Sequence, residues 1–171
     1  QAGKVIYLST FSKSLMPSLR MAYMVLPIDL LKKYTEAFTH YSSTVPRFDQ
    51  QILARFMKEG NFSKHLNRMR NLYKRKLQLL TDTLLEYAPH VTFSGNDAGM
   101  HITIRINTNV DEAKLVHKAR EEGIIINGLN EYRKKQTGGK PEFIIGFGGL
   151  RVDTIPESIQ TLMNVWDIEE N

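Results

Sequence analysis

The most regular hydrophobic pattern in the chain lies between residues 62 and 87. Apolar side chains recur there at every third or fourth position: Phe62, Leu66, Met69, Tyr73, Leu77, Leu80, Leu84 and Tyr87. This spacing places them on one face of an α-helix, and Pro89 ends the pattern. A helix of about 25 residues is nearly 40 Å long, so we expect it to connect two structural parts.

Two apolar segments and two helical segments precede the long helix. Residues 5–8 are apolar and partly β-branched, and residues 20–26 are mostly apolar, so both segments predict strands. Helices are predicted over residues 29–41, where Asp29 would be the N-cap, and over residues 47–59. The polar segment between the two strands is predicted to be a loop.

The pattern after the long helix consists of shorter elements. Residues 100–106 alternate as a half-buried strand does, and further strands are predicted at residues 124–126 and 143–147. Helices are predicted to begin at Asn109 and Thr154, because each is followed three residues later by a glutamate, as in a capping box. The order β-α-β-β-α predicts an α/β chain whose last part is a small α+β layer, with helices on one sheet face.

The composition narrows the class of protein. Of 171 residues, 42% are hydrophobic and none is cysteine, which indicates a packed core without disulfides or thiolate metal sites and suits a cytoplasmic protein. The net charge of +5 is compatible with an anionic partner but does not demand one. No apolar run approaches the roughly 20 residues of a membrane span, so no membrane association is expected. The five histidines show no metal-ligand spacing with carboxylates, and no metal is predicted.

Residues 9–20, with the sequence Ser-Thr-Phe-Ser-Lys-Ser-Leu-Met-Pro-Ser-Leu-Arg, carry the clearest chemistry. Lys13 lies among hydroxyl residues between two predicted strands, and Arg20 follows seven residues later. Hydroxyls and a guanidinium can bind a phosphate dianion, and a lysine amine can form a Schiff base with an aldehyde. Together they could hold pyridoxal phosphate (PLP). The alternative is a solvated loop; a Walker phosphate loop is excluded, because no glycine-rich segment leads into Lys13.

Residues 5–27 closely resemble the lysine segment of the fold-type I PLP proteins, most of all the MocR (GabR-type) branch of the GntR regulators. In that family a winged helix-turn-helix domain precedes an aminotransferase-like domain. Later segments match in the same order: Thr44-Val45-Pro46 with Gln50, Asn67-Arg68-Met69-Arg70-Asn71-Leu72-Tyr73, Ala98-Gly99-Met100-His101, and Gly146-Phe147-Gly148. The resemblance covers nearly the whole chain, although only the lysine segment is specific.

The resemblance implies roles for the residues around the lysine. Lys13 would be the catalytic lysine that binds PLP as a Schiff base. Thr10 and Arg20 would bind the phosphate of PLP, with Ser12 as a third donor. The loop at Ser43-Thr44 would approach the active site of a neighbouring subunit, which implies a homodimer.

The resemblance also implies an arginine that binds the carboxylate of a substrate or effector, usually near the last strand of the small domain. The predicted last strand of this chain has no arginine. Arg133, in the loop before that strand, is the preferred candidate by analogy with the GabR-type position. Arg151 is the alternative.

The family resemblance divides the chain into three parts. Residues 1–27 would end the PLP-binding large domain, residues 28–88 would form connecting helices, and residues 89–171 would form the small C-terminal α/β domain. The chain begins at Gln1 without an initiator methionine and enters a strand pattern almost at once, which predicts a fragment of a longer protein. Such a fragment is expected to bind PLP weakly or not at all and to be inert.

Two functions and a third class follow from the resemblance. The first is a regulator in which PLP on Lys13 senses an amino acid or amine effector and biases DNA binding by a separate N-terminal domain. The alternative is a PLP-dependent aminotransferase acting on amino acids. The third is a dimerisation or interaction domain that no longer needs the cofactor.

Overall fold

The computed structural model describes residues 3–95, 99–133 and 139–170. Its contacts divide the chain into two compact units, Gln1–Arg68 and Met69–Asn171. Among the described residues, no helix combines the length and hydrophobicity that crossing a bilayer requires. The two units are described separately below.

The first unit contains a two-stranded antiparallel sheet formed by β1 (Tyr7–Thr10) and β2 (Ala22–Val25). The register pairs Tyr7 with Val25 and Thr10 with Ala22. Both strands were predicted, but β1 lies two residues further along the chain than expected. The ladder ends with Val25, because Pro27 lies just beyond it and has no N–H to donate.

Two helices follow the sheet, α1 (Ile28–Ala37) and α2 (Arg47–Lys58). The N-cap position of α1 is Pro27, so the prediction that Asp29 is the cap was wrong. Asp29 lies in the first turn instead, where its negative charge interacts favourably with the positive end of the helix dipole. The apolar residues of α1 remain exposed or half-exposed, and none is buried.

The long helix is confirmed as α3 (Asn61–Leu85), which begins in the first unit and ends in the second. Gly60, with φ of +76°, separates it from α2, a backbone angle that glycine adopts without steric cost. In the second unit, Leu80 and Leu84 of the predicted stripe are fully buried. The stripe there is a core face, as the periodicity indicates.

The second unit is built on a four-stranded antiparallel sheet in the order β3-β4-β6-β5. The strands are β3 (Val91–Ser94), β4 (His101–Ile106), β5 (Asn127–Gly128) and β6 (Glu142–Gly146). Two helices, α4 (Glu112–Glu121) and α5 (Ile155–Val165), complete it, with short 3-10 helices at Leu129–Tyr132 and Val152–Thr154.

The sequence missed one strand of this sheet and displaced another. β3 was not predicted, because its four residues are too short to show a clear period. The apolar residues 124–126 were predicted as a strand, but they adopt no regular structure, and Ile125 is 86% exposed. Only Asn127 and Gly128, which follow them, pair with β6.

The core of the second unit lies on one face of the sheet. Ile102 pairs with Ile145, and Ile104 pairs with Phe143, so these buried side chains share that face. Buried residues of α3, α4 and α5 pack in the same cluster: Leu80, Leu84, Leu115, Ala119, Ile155, Ile159, Leu162 and Met163. The predicted layer of helices on a sheet is therefore confirmed.

Both predicted capping boxes were wrong in detail. Asp111 is the N-cap of α4, where its Oδ1 accepts a hydrogen bond of 2.9 Å from the backbone N–H of Ala113. Asn109 instead accepts a hydrogen bond from Lys140. Thr154 precedes α5, but its hydroxyl donates to the carbonyl of Arg151. The helix starts were nevertheless placed within a few residues.

Candidate functional site

The lysine segment forms a closed loop between β1 and β2. At its neck the backbone N–H of Phe11 donates to the carbonyl of Met21 at 3.0 Å, and both side chains are buried. Thr10 precedes the neck and pairs with Ala22 in the sheet. Lys13 and the residues up to position 20 therefore project from the end of the two-stranded sheet, as the flanking strands predicted.

Apolar side chains of the loop pack against a small core and hold the loop in place. Phe11 and Met21 form a small core cluster with Leu53 of α2, and Leu15 and Leu19 of the loop pack against it. The turn that carries Lys13 is closed by a hydrogen bond of 2.8 Å from the N–H of Leu15 to the carbonyl of Phe11. The apolar side chains of the loop thus anchor it, while its polar side chains remain accessible.

His65, in the first turns of α3, gives the loop a second anchor. Its Nε2 lies 3.0 Å from the carbonyl oxygen of Ser14, the residue next to Lys13. This contact joins residues 51 positions apart in sequence, and the sequence did not predict it. No local signal could have found it, because the contact depends on how α3 packs within the first unit.

Arg20 has an unusual backbone conformation. It follows the 3-10 helix Pro17–Leu19 and has φ of +47° and ψ of +33°, in the left-handed region. A non-glycine residue pays about 1 kcal/mol for this conformation, which is therefore typical of turns and functional sites. The surrounding loop maintains it at the residue to which the family resemblance assigns phosphate binding.

The donor set of the loop fits PLP. Thr10, Lys13 and Arg20 are exposed and Ser12 is half-buried, so their polar atoms can reach a ligand. An amine suits the aldehyde of PLP, and two hydroxyls with one guanidinium suit its phosphate. All four predicted cofactor residues thus lie at or within one loop.

An open cavity of about 480 Å³ lies beside the loop within the first unit. Its lining residues include the polar Thr10 and Ser14 and the aromatic Phe11, Tyr23 and Phe62. Of the four predicted cofactor residues, Thr10 lines this cavity, whereas Ser12, Lys13 and Arg20 do not.

Arg133, the preferred carboxylate ligand, lies in the second unit, where Glu142 of β6 binds it. An Nη2 atom of Arg133 donates to Oε2 of Glu142. Arg105, which lies opposite Glu142 in the β4–β6 register, donates from Nη2 and Nε to Oε1 at 2.6 and 2.9 Å. The three side chains form a cluster, here called the arginine–glutamate cluster.

The charge of Glu142 is stabilised by its two partners. Burial raises the pKa of its carboxyl group, but hydrogen bonds and charge from Arg105 and Arg133 outweigh burial and hold the pKa below its usual range. The side chain of Glu142 is 9% exposed, whereas those of Arg133 and Arg105 are 35% and 62% exposed. Both arginines therefore face an accessible cleft while Glu142 lies at its base.

Glu112 fixes the backbone around this cluster. Its carboxylate accepts hydrogen bonds from the N–H of Asn130 at 3.0 Å and from the N–H of Glu142 at 3.3 Å. It also passes so close to Gly128 that a Cβ there would lie 2.1 Å from Oε1. The sequence analysis assigned Glu112 to a capping box, because the spacing alone could not show these long-range contacts.

Arg151, the alternative carboxylate ligand, occupies a different setting. It is an exposed residue of the second unit, and it forms hydrogen bonds of 2.7 and 3.1 Å with Asp153, two residues away. The hydrogen bond from Arg151 lowers the pKa of Asp153. Both candidate arginines are thus paired with a carboxylate of the same chain, but only Arg133 lies in a cluster with a second arginine.

The relatives of known sequence include helix-turn-helix regulators. The HTH-type transcriptional regulator YdeL of Bacillus subtilis is 37% identical over 98% of this chain and 36% of its own length. The probable rhizopine catabolism regulatory protein MocR of Rhizobium meliloti is 31% identical over 97% of this chain and 34% of its length. The chain therefore spans about a third of the curated relatives it matches. No protein-family model matches it.

The solved structures with a similar fold are aminotransferases. The kynurenine aminotransferase of Pyrococcus horikoshii superposes with a TM-score of 0.79 at 26% identity, over 96% of this chain and 41% of that one. The chain therefore has the α/β fold of the fold-type I PLP-dependent aminotransferases. Within that class its sequence identifies it as part of the GntR/MocR family of regulators, through their aminotransferase-like domain.

Proposed function

We propose that the chain is part of the effector domain of a PLP-binding transcription regulator, in which PLP on Lys13 senses an amino-group ligand. The observation that carries this proposal is the loop that places Lys13 and a backbone-strained Arg20 between two paired strands. The intact protein would bind DNA through a separate N-terminal domain, act as a homodimer and reside in the cytoplasm. The regulators among its relatives support this view.

Each residue of the loop would make a separate contribution. The amine of Lys13 would bind the aldehyde carbon of PLP, and Arg20 with the hydroxyls of Thr10 and Ser12 would hold the phosphate. When bound, PLP supplies an electrophilic carbon that a ligand amine can take over from lysine. The buried neck at Phe11 would keep the loop in place during that exchange.

Ligand binding would change charges and contacts around the loop. Lys13 would hold PLP in the absence of ligand, and its amine would be available for other contacts once a ligand is bound. Arg133, or alternatively Arg151, would hold the carboxylate of the ligand. A ligand that prefers one of two domain arrangements shifts the population toward it, and DNA binding would follow that shift.

The second candidate function is aminotransferase activity. The fold match to a kynurenine aminotransferase favours it, since the same lysine could then move a proton between the substrate carbon and the cofactor. The two candidates differ in turnover, because a sensor needs to bind its ligand only once whereas an enzyme releases product repeatedly.

The experiment uses the full-length protein that contains this chain, loaded with PLP. It is incubated with each common L-amino acid and a 2-oxo acid acceptor, and the amount of 2-oxo acid formed from the amino acid is measured. The sensor predicts a change in cofactor absorbance with less than one product molecule per site. Continuing product release would favour the aminotransferase.

A further inference from the structure

We propose that Glu142 is an internal competitor for the ligand carboxylate at Arg133, and that Arg105 retains Glu142 when the ligand displaces it. This inference rests on the proposed role of Arg133 in binding the ligand carboxylate. It adds a residue that sets how strongly, and how selectively, a carboxylate can bind at that arginine.

The hydrogen bonds of Glu142 are divided between its two oxygens. Oε2 accepts from Arg133, and Oε1 accepts two hydrogen bonds from Arg105. A ligand carboxylate presents the same pair of oxygens to a guanidinium as Glu142 does. The carboxylate of Glu142 therefore occupies a donor of Arg133 that the ligand would use.

Arg105 lowers the free-energy cost of separating Glu142 from Arg133. A buried carboxylate that loses its only partner is strongly destabilised, because its charge remains without compensation. Glu142 would keep two charge-assisted hydrogen bonds to Arg105 after losing Arg133, so its charge would remain paired. The cluster can thus release one arginine without leaving a bare carboxylate at the base of the cleft.

The cleft beside the cluster suits an anion. A cavity of about 290 Å³ is lined by Arg105, Arg133, Lys140, Glu142 and Gly139. Among the described residues that line the cavity, three side chains are cationic and one is anionic, so together they carry a net positive charge while Glu142 is ionised. A carboxylate that enters would meet a favourable potential.

Glu112 keeps the competitor in place. Its carboxylate binds the backbone N–H of Glu142 and that of Asn130, which lies three residues before Arg133. Both members of the competing pair are thereby tied to the start of α4. The positions of Glu142 and Arg133 would therefore be fixed before a ligand arrives. An amine without a carboxylate has no group that could replace Glu142 at Arg133.

The test uses the full-length PLP-loaded protein and butanoate, a carboxylate that has no amine. An arginine-selective dicarbonyl reagent labels the protein, and peptide mass spectrometry gives the labelling rates of Arg133 and Arg151 separately. The measured quantity is the butanoate concentration that halves the labelling rate of Arg133. Because butanoate cannot react with PLP, this concentration does not depend on the chemistry of Lys13.

Opposite shifts are expected from the two partners of Arg133. Glu142→Gln removes the competing charge and should lower the half-protecting concentration about tenfold, the equivalent of one charge-assisted hydrogen bond. Arg105→Gln leaves Glu142 to Arg133 alone and should raise that concentration several-fold. Asp167→Asn is the matched control: it removes a carboxylate from the exposed ion pair with Lys118 and should change nothing.

Three results would overturn the proposal. The first is that butanoate fails to protect Arg133 in the wild-type protein and in Glu142→Gln. The second is that Glu142→Gln leaves the half-protecting concentration unchanged or raises it. The third is that Asp153→Asn instead promotes protection of Arg151, which would move the carboxylate site there. If Glu142→Gln fails to fold, Arg105→Gln still decides the matter, because no shift or a downward shift excludes competition.

Failure of this proposal can be distinguished from failure of the proposed function. A protein that loses its cofactor absorbance in Lys13→Ala but shows no competition by Glu142 would keep the sensor and lose the internal competitor. If Glu142 competes at Arg133 but Lys13→Ala keeps its cofactor absorbance, the internal competitor would stand and the proposed role of Lys13 would fail.

Discussion

The two units of the chain differ in how completely they withdraw apolar side chains from water. In the second unit Tyr87, Phe143 and Phe147 are among the large side chains that are at most 1% exposed. In the first unit the core cluster consists of Phe11, Met21 and Leu53, each still 5–9% exposed. The second unit therefore has a core of its own, whereas the first holds the Lys13 loop on a small cluster.

The unit that contains the Lys13 loop is therefore not the unit with the larger apolar core. The first unit leaves large apolar residues exposed on its strands and helices, including Leu8, Val25, Ile28 and Phe48. Burial of apolar area is the main stabilising contribution to folding, so this unit gains less from its own residues. Its loop depends on backbone closure at the neck and on the contact from His65.

The largest expected difference between the two units is in the unfolding free energy that each loses when a core side chain is truncated. Phe143 is fully buried and its ring centroid lies 4.5 Å from that of Trp166. Phe143→Ala should lower the free energy of unfolding by about 4 kcal/mol, and Leu53→Ala by about 2 kcal/mol, because the smaller cluster is less completely buried. Urea unfolding followed by circular dichroism measures both. Equal losses would contradict the contrast between the cores.

The arginine–glutamate cluster should give the second unit a pH-dependent stability. The pKa of Glu142 is lowered in the folded state, so the ionised carboxylate stabilises the fold above its unfolded pKa of about 4.3. This stabilisation is lost as the pH falls through the lower folded pKa. At pH 7 Glu142→Gln should cost about 2 kcal/mol, for the loss of charge-assisted hydrogen bonds.

Denaturant unfolding at pH 7 and in acid tests that expectation. The difference in unfolding free energy between wild type and Glu142→Gln should shrink as the pH decreases below the unfolded pKa. Asp167→Asn, which alters an exposed pair, should show a small difference at both pH values. A difference for Glu142→Gln that grows on acidification would contradict the lowered pKa.

The smallest expected effect concerns the strain at Arg20 in the first unit. Arg20→Ala and Arg20→Gly both remove the guanidinium, but only glycine accepts a φ of +47° without steric cost. Arg20→Gly should therefore be more stable than Arg20→Ala by about 1 kcal/mol. In the full-length protein, both variants should lose PLP affinity to a similar degree. Equal stability of the two variants would show that the loop does not enforce the conformation.

The sequence predicted best what repeats at short range. The stripe of α3 and the alternation of β4 follow directly from helical and strand periods, and both elements were found within one or two residues of their expected bounds. The short strand β3 has too few residues to show a period. Residues 124–126 have strand-like composition, but the first residue of this segment that pairs with β6 is Asn127.

The candidate site divides in the same way. Lys13, Thr10 and Ser12 were predicted from one contiguous segment, and their role in binding PLP stays a prediction. The left-handed conformation of Arg20 depends on the closure of the loop, and an arginine in the sequence does not predict that conformation. The arginine–glutamate cluster requires the register of β4 against β6, which joins residues 37 positions apart. The three-part division of the domains remains a prediction.

We propose that Lys13 is the residue that binds PLP. The decisive measurement is the visible absorbance of the lysine-bound cofactor in the full-length protein, compared with Lys13→Ala and with the matched control Lys4→Ala. Lys13→Ala should abolish the absorbance, while Lys4→Ala, an exposed lysine outside the loop, should retain it. A stoichiometric cofactor absorbance that persists in Lys13→Ala would contradict the account.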